Sequence, residues 1–189
     1  MLEQVTRPEL RNKRWFNSRP LGWEDLKGKV VMIDFMTYSC INCVRTFPHM
    51  KAVWNKYRDK NFLLIGVQAP EFEFEKDPEN VAEAIKRYGL DYPIVMGNDF
   101  EIWTFFLNQY WPAQYFIDVQ GNQRYVHIGE GGEREIEEWI VRLLREAGQD
   151  VSLEEVEETR AEAGEVTPEI YAGAARNSGL GNGAVCLPN

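Results

Sequence analysis

Residues 29–36, KVVMIDFM, form an almost unbroken run of apolar and β-branched side chains. A run of this kind is typical of a strand buried on both faces, as in a parallel sheet covered by helices. Residues 62–69, FLLIGVQA, form a second run of the same type. Because two such strands need apolar cover on both sides, the sequence predicts an α/β fold in which helices flank a central sheet.

Helical spacing of apolar residues follows both strands. After the first strand it predicts a helix that begins near Cys40 and is kinked at Pro48. Two more helices are expected after the second strand, one capped by Asp77 and the next by Asn98 or Asp99. The apolar positions expected along that last helix are Phe100, Trp103, Phe106 and Tyr110.

A hairpin and a closing helix complete the predicted domain. Residues 113–119 and 123–129 read as antiparallel strands joined at Gly121 and Asn122, a pair that tolerates positive φ. An apolar helical stripe then predicts a final helix with Gly148 as its C-cap. The order of strand, helix, strand, two helices, hairpin and helix implies a mixed β-sheet.

The 189-residue chain is long enough for one well-cored domain and a short addition. We expect that domain at residues 1–148. Residues 149–165 are acidic with little apolar face, which predicts a linker or a solvated helix. Residues 166–189 are rich in Gly and Asn and cannot build a core of their own, so they are expected to be the truncated start of a following domain.

Composition excludes several classes of protein. A hydrophobic content of 44% with 13% aromatic residues is too high for a disordered chain. The net charge of -9, with Lys and Arg scattered, argues against binding to nucleic acid. No stretch reaches the roughly 18 apolar residues of a transmembrane helix, and the N-terminus lacks the apolar core of a signal peptide.

The segment TYSCINCVRTFP, residues 37–48, holds two of the three cysteines, Cys40 and Cys43. Residues three apart at a helix start are neighbours, so their sulfurs can form a disulfide without moving the backbone. Cys40 is expected where a buried strand passes into a helix, and the free N–H groups there can lower a thiol pKa from about 8.5 to roughly 7 or below. We therefore predict that Cys40 attacks a disulfide and that Cys43 resolves the mixed disulfide.

Asp34 lies in the middle of the first apolar strand. Desolvation of a carboxylate there should raise its pKa, and a raised carboxyl group beneath the cysteines can accept the proton of Cys43. The alternative interpretation is a strand-end aspartate satisfied by backbone N–H groups. The residues alone leave both open.

Three alternatives for the cysteine pair are a zinc site, a thiol peroxidase and a non-catalytic binding module. A zinc site would need Cys40 and Cys43 to recruit two of the residues His49, His127 and Cys186, but no second C-x-x-C or H-x-x-H motif is present, so no metal is expected.

A peroxiredoxin-like thiol peroxidase would use the motif P-x-x-x-T-x-x-C. This motif is half present from Thr37 to Cys40, with Ile33 at the proline position.

A non-catalytic binding module would use the aromatic residues Tyr38, Trp103 and Trp111 as a contact surface, although most such aromatic side chains belong to a core.

Four segments in order, DFMTYSCINC, GVQAPEFEFEKD, YWPAQYFID and GEGG, resemble the thioredoxin superfamily, and within it the soluble domain of the DipZ proteins, close to the TlpA-type thiol reductases. The resemblance spans residues 15–147. It implies a thioredoxin-like fold with an insertion after the second core strand, and thiol–disulfide exchange outside the cytoplasm without a cofactor beyond the Cys40–Cys43 disulfide. It also implies disulfide-containing protein substrates and a CcdA/DsbD-like membrane electron donor.

The same resemblance assigns further residues. Trp111 and Pro112 become the cis-proline element that offers backbone groups to a substrate, and Tyr38, Ile41 and Asn42 complete the expected substrate-binding set. Glu71 corresponds to a possible acid or base near the cysteines, with an exposed loop glutamate as the alternative. The segment VTPEIYAG resembles the lead-in to a carbohydrate-binding-module-like domain. By family analogy the couple is expected to act as a reductase.

Met36 stands where the family usually has tryptophan. This difference affects the expected packing beside the cysteines rather than their chemistry.

Overall fold

The computed structural model describes residues 7–153. Its described part contains a six-stranded mixed sheet in the order β1-β4-β3-β2-β5-β6. The strands are β1 (Trp15–Phe16), β2 (Val30–Met36), β3 (Phe62–Gln68), β4 (Ile94–Met96), β5 (Ala113–Ile117) and β6 (Gln123–Ile128). Strands β2, β3 and β4 are parallel, whereas β5 runs antiparallel to β2, β6 to β5 and β1 to β4.

Helices cover this sheet. They are α1 (Trp23–Leu26), α2 (Ile41–Tyr57), α3 (Pro78–Tyr88), α4 (Glu101–Phe105) and α5 (Glu133–Glu146), with a 3₁₀ helix at Glu73–Lys76. The predicted α/β class with a mixed sheet is confirmed, and the arrangement is thioredoxin-like. Helix α2 runs unbroken through Pro48. None of the helices in residues 7–153 has the length and apolar character needed to cross a membrane.

The apolar run of β2 is explained by two cores, one on each face of the sheet. Because successive side chains of a strand point to opposite faces, Val30, Met32 and Met36 enter one core while Ile33 and Phe35 enter the other. The first core also contains Cys43 and the apolar faces of α2 and α5. Asp34 shares the face of Met32 and Met36, so a carboxyl group lies among the side chains of the first core.

Two strands of the structure were not predicted from the sequence, and one helix is shorter than predicted. Strands β1 and β4 have only two and three residues, too short for a periodic pattern to show. The expected helix carrying Phe100 to Tyr110 is wrong beyond residue 105, because Leu107 takes a left-handed φ of 53° and the helix cannot continue. Phe100 takes the N-cap position, although Asp99 does accept a hydrogen bond from the Glu101 amide at 3.2 Å.

The predicted cap of α3 and the predicted hairpin turn agree with the structure, whereas the predicted cap of α5 does not. The Asp77 side chain caps α3 by accepting from the Glu79 amide at 2.8 Å. Gly121, in the β5–β6 turn, has a φ of 88°. Gly148 also has positive φ but follows the C-cap Ala147 instead of being the cap itself. The predicted addition at 166–189, its Cys186, and most of the predicted linker at 149–165 lie outside the described residues.

Candidate active site

Cys40 lies at the junction of β2 and α2, as predicted. It is the N-cap residue of α2, with extended backbone, and its carbonyl accepts the first helical hydrogen bond from the Val44 amide at 3.0 Å. Its side chain is partly exposed, whereas Cys43, one turn into the helix, is fully buried. The two thiols are free rather than joined in a disulfide. The position of the pair therefore separates an accessible sulfur from a protected one.

The pKa of Cys40 is lowered to about 6. The largest cause is a hydrogen bond from the Cys43 thiol, and the backbone amides of Cys43 and Asn42 at the helix start act in the same direction. Partial burial and the negative charge of Glu71 oppose the shift. A thiol with this pKa is largely thiolate at neutral pH.

The pKa of Cys43 moves in the opposite direction, far above its ordinary value. The largest cause is again the hydrogen bond between the sulfurs, which Cys43 can donate only while it keeps its proton. Desolvation and the negative charges of Cys40 and Asp34 raise the pKa further. The pair thus holds one proton, and Cys43 is the residue that carries it.

Asp34 is completely buried in the middle of β2. One carboxyl oxygen accepts a hydrogen bond from the Gln114 amide of β5 at 2.8 Å, and the other has no hydrogen-bond partner among the described residues. Desolvation raises the pKa of this group to about 6, and the Gln114 bond only partly opposes that effect. The interpretation as a strand-end aspartate held by backbone N–H groups is therefore wrong.

Glu75, in the 3₁₀ helix that follows β3, is a fully buried carboxylate that sequence reasoning missed. One of its oxygens accepts hydrogen bonds from the hydroxyls of Thr37 and Ser39, which lie three residues and one residue before Cys40. The other accepts from the backbone amides of Glu71 and Phe72, at 2.5 and 2.9 Å. Four donors satisfy the charge, and they fasten the loop after β3 to the turn that carries Cys40.

Trp111 and Pro112 lie at the same edge of the sheet as the cysteine turn. The peptide bond between them is cis, and Pro112 directly precedes Ala113, which is paired with Phe35 of β2. The indole N–H of Trp111 donates to the Ala69 carbonyl at 3.0 Å. Its ring also lies 4.3 Å from the ring of Trp103, centroid to centroid. These contacts fix the loop that leads into β5.

The other expected site residues surround Cys40 to different degrees. Ile41 is 60% exposed, and Asn42 supplies a backbone amide to the Cys40 sulfur. Tyr38 is half-buried and packs against Phe74. Glu71 is exposed on its loop, and its negative charge acts on Cys40.

The histidines are separate from the cysteines. His49 lies further along α2, and His127 lies in β6 against Gly132. Within residues 7–153, no group of three or more His, Cys, Asp or Glu side chains is arranged to hold a metal ion.

A family model described as the AhpC/TSA family matches residues 8–126, which include both cysteines, Asp34 and Pro112. The chain belongs to the AhpC/TSA family. Relatives with curated names include the protein DipZ of Mycobacterium tuberculosis, which is 38% identical over 186 residues. That match covers 94% of this chain and 27% of DipZ, so the chain spans about a quarter of the length of this relative.

Shorter relatives match over nearly their whole length. The thiol-disulfide oxidoreductase YkuV of Bacillus subtilis is 29% identical over 140 residues, which cover 74% of this chain and 94% of YkuV. The solution structure of a thioredoxin-like protein in the oxidised form superposes with a TM-score of 0.65 at 29% identity, covering 71% of this chain and 90% of that one. The resemblance to the thioredoxin superfamily and its DipZ branch is thereby confirmed.

Gln114 and Glu75, which were not predicted as site residues, differ in how far the sequence indicates their burial. Gln114 interrupts an otherwise apolar strand, and a polar residue there suggests a buried partner, which is Asp34. Glu75 had no such signal, because it lies in the acidic segment EFEFEKD and resembles a solvated residue. Tyr92 is likewise fully buried, and desolvation followed by the charges of Asp34 and Cys43 raises its pKa well above the ordinary value.

The lowered pKa of Cys40 predicts the pH dependence of its alkylation. In the reduced protein the rate with iodoacetamide should rise with pH and reach half of its plateau near pH 6, because only the thiolate reacts. Cys40→Ser should remove the component of the reaction that has this midpoint, since Cys43 is buried. A midpoint at or above about pH 8.5, the value of an unperturbed thiol, would contradict the assignment.

The raised pKa of Asp34 predicts a pH-dependent loss of stability. Its folded-state pKa of about 6 lies above the ordinary 3.8, so the stabilisation is complete below pH 3.8 and is lost as the pH rises through 6. The rise of this pKa from 3.8 to about 6 corresponds to about 3 kcal/mol in the free energy of unfolding. In urea unfolding of the reduced protein, Asp34→Asn should therefore be more stable than wild type by about 3 kcal/mol at pH 8 and nearly equal to it at pH 4.

The matched control for this measurement is Asp59→Asn, which changes an exposed carboxylate. Its free energy of unfolding should differ little from wild type at either pH. If Asp34→Asn were destabilised at pH 8, the ionised carboxylate would be stabilising in the fold and the assignment of its pKa would be incorrect.

Proposed function

We propose that the chain is a thiol–disulfide oxidoreductase that reduces disulfides of protein substrates through Cys40 and Cys43, with no cofactor other than the disulfide these residues form. One observation carries the proposal: an accessible thiol with a pKa of about 6 receives a hydrogen bond from a buried thiol one helical turn away. This arrangement supplies a nucleophile and a resolving thiol, which are the two groups that the reaction requires.

In the first step the Cys40 thiolate attacks one sulfur of the substrate disulfide. The substrate S–S bond breaks as a bond from Cys40 to the substrate forms, and the other substrate sulfur leaves as a thiolate that takes a proton from solvent. Attack uses Cys40 because it is both ionised and accessible, whereas Cys43 is neither.

In the second step Cys43 must lose its proton and attack the Cys40 sulfur. Formation of the mixed disulfide removes the negative charge from Cys40, and with it the largest cause of the raised pKa of Cys43. Asp34, whose own pKa is about 6, is the proposed acceptor of that proton. The Cys40–Cys43 disulfide then forms as the bond from Cys40 to the substrate breaks, and the second substrate sulfur leaves as a thiolate that takes a proton from solvent. The substrate has then gained two electrons and two protons.

Substrate contacts are proposed for the residues that surround Cys40. We propose that the backbone beside Pro112 and the side chains of Trp111, Tyr38 and Ile41 contact the substrate, while the Asn42 amide donates to the Cys40 thiolate. Glu71 is proposed as an acid or base near Cys40, because its charge acts on Cys40 from an exposed loop.

The hydroxyl of Thr37 favours this function over a thiol peroxidase. In the peroxidase motif Thr37 stands three residues before Cys40, but here its hydroxyl accepts from Gln68 at 3.0 Å and donates to buried Glu75. Ile33, at the motif's proline position, is a β2 residue paired with Ile65 and Tyr115. A binding module without catalysis would have no use for the lowered pKa of Cys40.

Reduction of insulin by the dithiol form tests the function. Wild type should accelerate the precipitation of insulin in the presence of dithiothreitol, and Cys40→Ser should match the uncatalysed rate because it lacks the nucleophile. In a glutathione titration the midpoint potential should lie on the reducing side of about -120 mV, the value of strong oxidants. Equal insulin rates for wild type and Cys40→Ser would support the binding module, and much faster reaction with hydrogen peroxide would support the peroxidase.

We also propose that the domain works outside the cytoplasm and receives electrons from a CcdA/DsbD-like membrane protein. The likeness to DipZ supports both proposals. In cells that make the full-length protein, a maleimide that cannot cross the cytoplasmic membrane should label Cys40 in intact cells. Labelling that requires lysis would place the domain in the cytoplasm.

A further inference from the structure

The exposed apolar side chains of the domain are concentrated at the edge of the sheet that carries Cys40. Seven large apolar residues are exposed among residues 7–153, and they are Ile41, Phe72, Phe74, Leu107, Tyr110, Ile128 and Leu153. Ile128 is the last residue of β6, and the others except Leu153 follow the ends of β2 or β3 or precede the start of β5. Because β5 is antiparallel to β2 and β6 to β5, these chain ends meet at one edge.

Phe72 and Phe74 form the most ordered part of this apolar surface. Their rings are stacked with centroids 5.6 Å apart and planes 5° apart, although the two residues are 50% and 52% exposed. Tyr38, two residues before Cys40, meets Phe74 edge-on at 6.2 Å, and its hydroxyl donates to the Phe74 carbonyl at 3.2 Å. An aromatic pair left exposed beside a reactive sulfur indicates a surface for binding.

A cleft lies between Phe74 and α3. Its volume is about 210 Å³, below the roughly 300–1,000 Å³ of pockets for small molecules, so it has room for one side chain. Tyr38 and Phe74 line it on one side. The α3 side is lined by Asn80, Glu83, Ala84 and Arg87. The cleft thus combines aromatic walls with a charged rim.

The wall of the cleft is held in place before any ligand binds. Glu75 fastens the start of the loop to the cysteine turn through the amides of Glu71 and Phe72. The Asn80 amide donates to the Phe74 carbonyl at 3.0 Å, and the Asn98 amide donates to the Lys76 carbonyl at 2.9 Å. Binding therefore does not have to order the loop, which lowers its entropic cost.

We propose that this cleft is a substrate subsite that takes one aromatic or large aliphatic side chain of the protein being reduced, near its disulfide cysteine. The proposal rests on the proposed function, because the cleft can select substrates only if their disulfide is held at Cys40, two residues after Tyr38, which lines the cleft. Its apolar side chain enters the cleft and orients the disulfide toward Cys40. The subsite gives the enzyme a preference among disulfides that the cysteine pair alone cannot supply.

Peptides test this subsite directly. Each peptide carries one cysteine joined by a disulfide to cysteamine, with a single Phe placed at successive positions from three residues before to three residues after the cysteine. An otherwise identical peptide with Ser in place of Phe is the reference, and cystamine measures reduction without a peptide. For the reduced wild-type chain, the second-order rate constant of the best Phe peptide should exceed that of the Ser peptide about tenfold or more.

Two variants locate the preference. Phe74→Ser removes an aromatic wall, and Glu83→Trp fills the cleft from an exposed position on α3. Each should bring the ratio of Phe to Ser rate constants below about twofold. Leu153→Ser, which removes an exposed apolar side chain elsewhere, should keep the wild-type ratio. Should Phe74→Ser fail to fold, as judged by circular dichroism, Glu83→Trp alone decides.

The outcomes separate the two proposals. If wild type reduces cystamine and all peptides at similar rates, or if Glu83→Trp keeps the preference for Phe, the subsite is wrong while the proposed function stands. If wild type reduces neither cystamine nor any peptide, the proposed function fails and the subsite fails with it.

Discussion

Strand β2 is buried on both faces, and a carboxyl group lies in its middle. The apolar neighbours of Asp34 make ionisation of this group unfavourable. A single hydrogen bond from the side-chain amide of Gln114 compensates for this desolvation only in part. The same strand delivers the chain to the start of α2, where Cys40 meets free backbone N–H groups. A destabilising carboxyl group and a stabilised thiolate thus follow from one buried strand and the turn after it.

Three carboxyl groups near the cysteines show how environment separates residues of similar chemistry. Asp34 is desolvated and has a raised pKa, which suits a proton acceptor. Glu75 is equally buried, but four donors satisfy it, so it serves as a structural anchor. Glu71 remains exposed, and its charge acts on Cys40. The loop fastened by Glu75 carries Glu71 and the stacked phenylalanines, so one buried carboxylate organises both an electrostatic and an apolar feature.

Much of the fold could be predicted because its main elements carry strong local patterns. The apolar runs of β2 and β3, the Asp77 cap of α3 and the glycine turn of the hairpin are all decided by near neighbours in the chain. Strands β1 and β4 could not be predicted, because two or three residues are too few to show the alternation of a strand. These strands form only by pairing with each other and with β3. Helix α4 is shorter than predicted because Leu107 adopts a left-handed conformation, which a leucine in the sequence does not indicate.

By itself the sequence determined the α/β class, the cysteine pair at a helix start and the burial of Asp34, because each depends on residues close together in the chain. Only the tertiary structure decided which side chains complete the site. Gln114 reaches Asp34 across 80 positions, and Glu75 reaches Thr37 across 38. Whether a carboxylate is desolvated, satisfied or exposed depends on groups brought together by the sheet, and residue type and spacing do not record that environment.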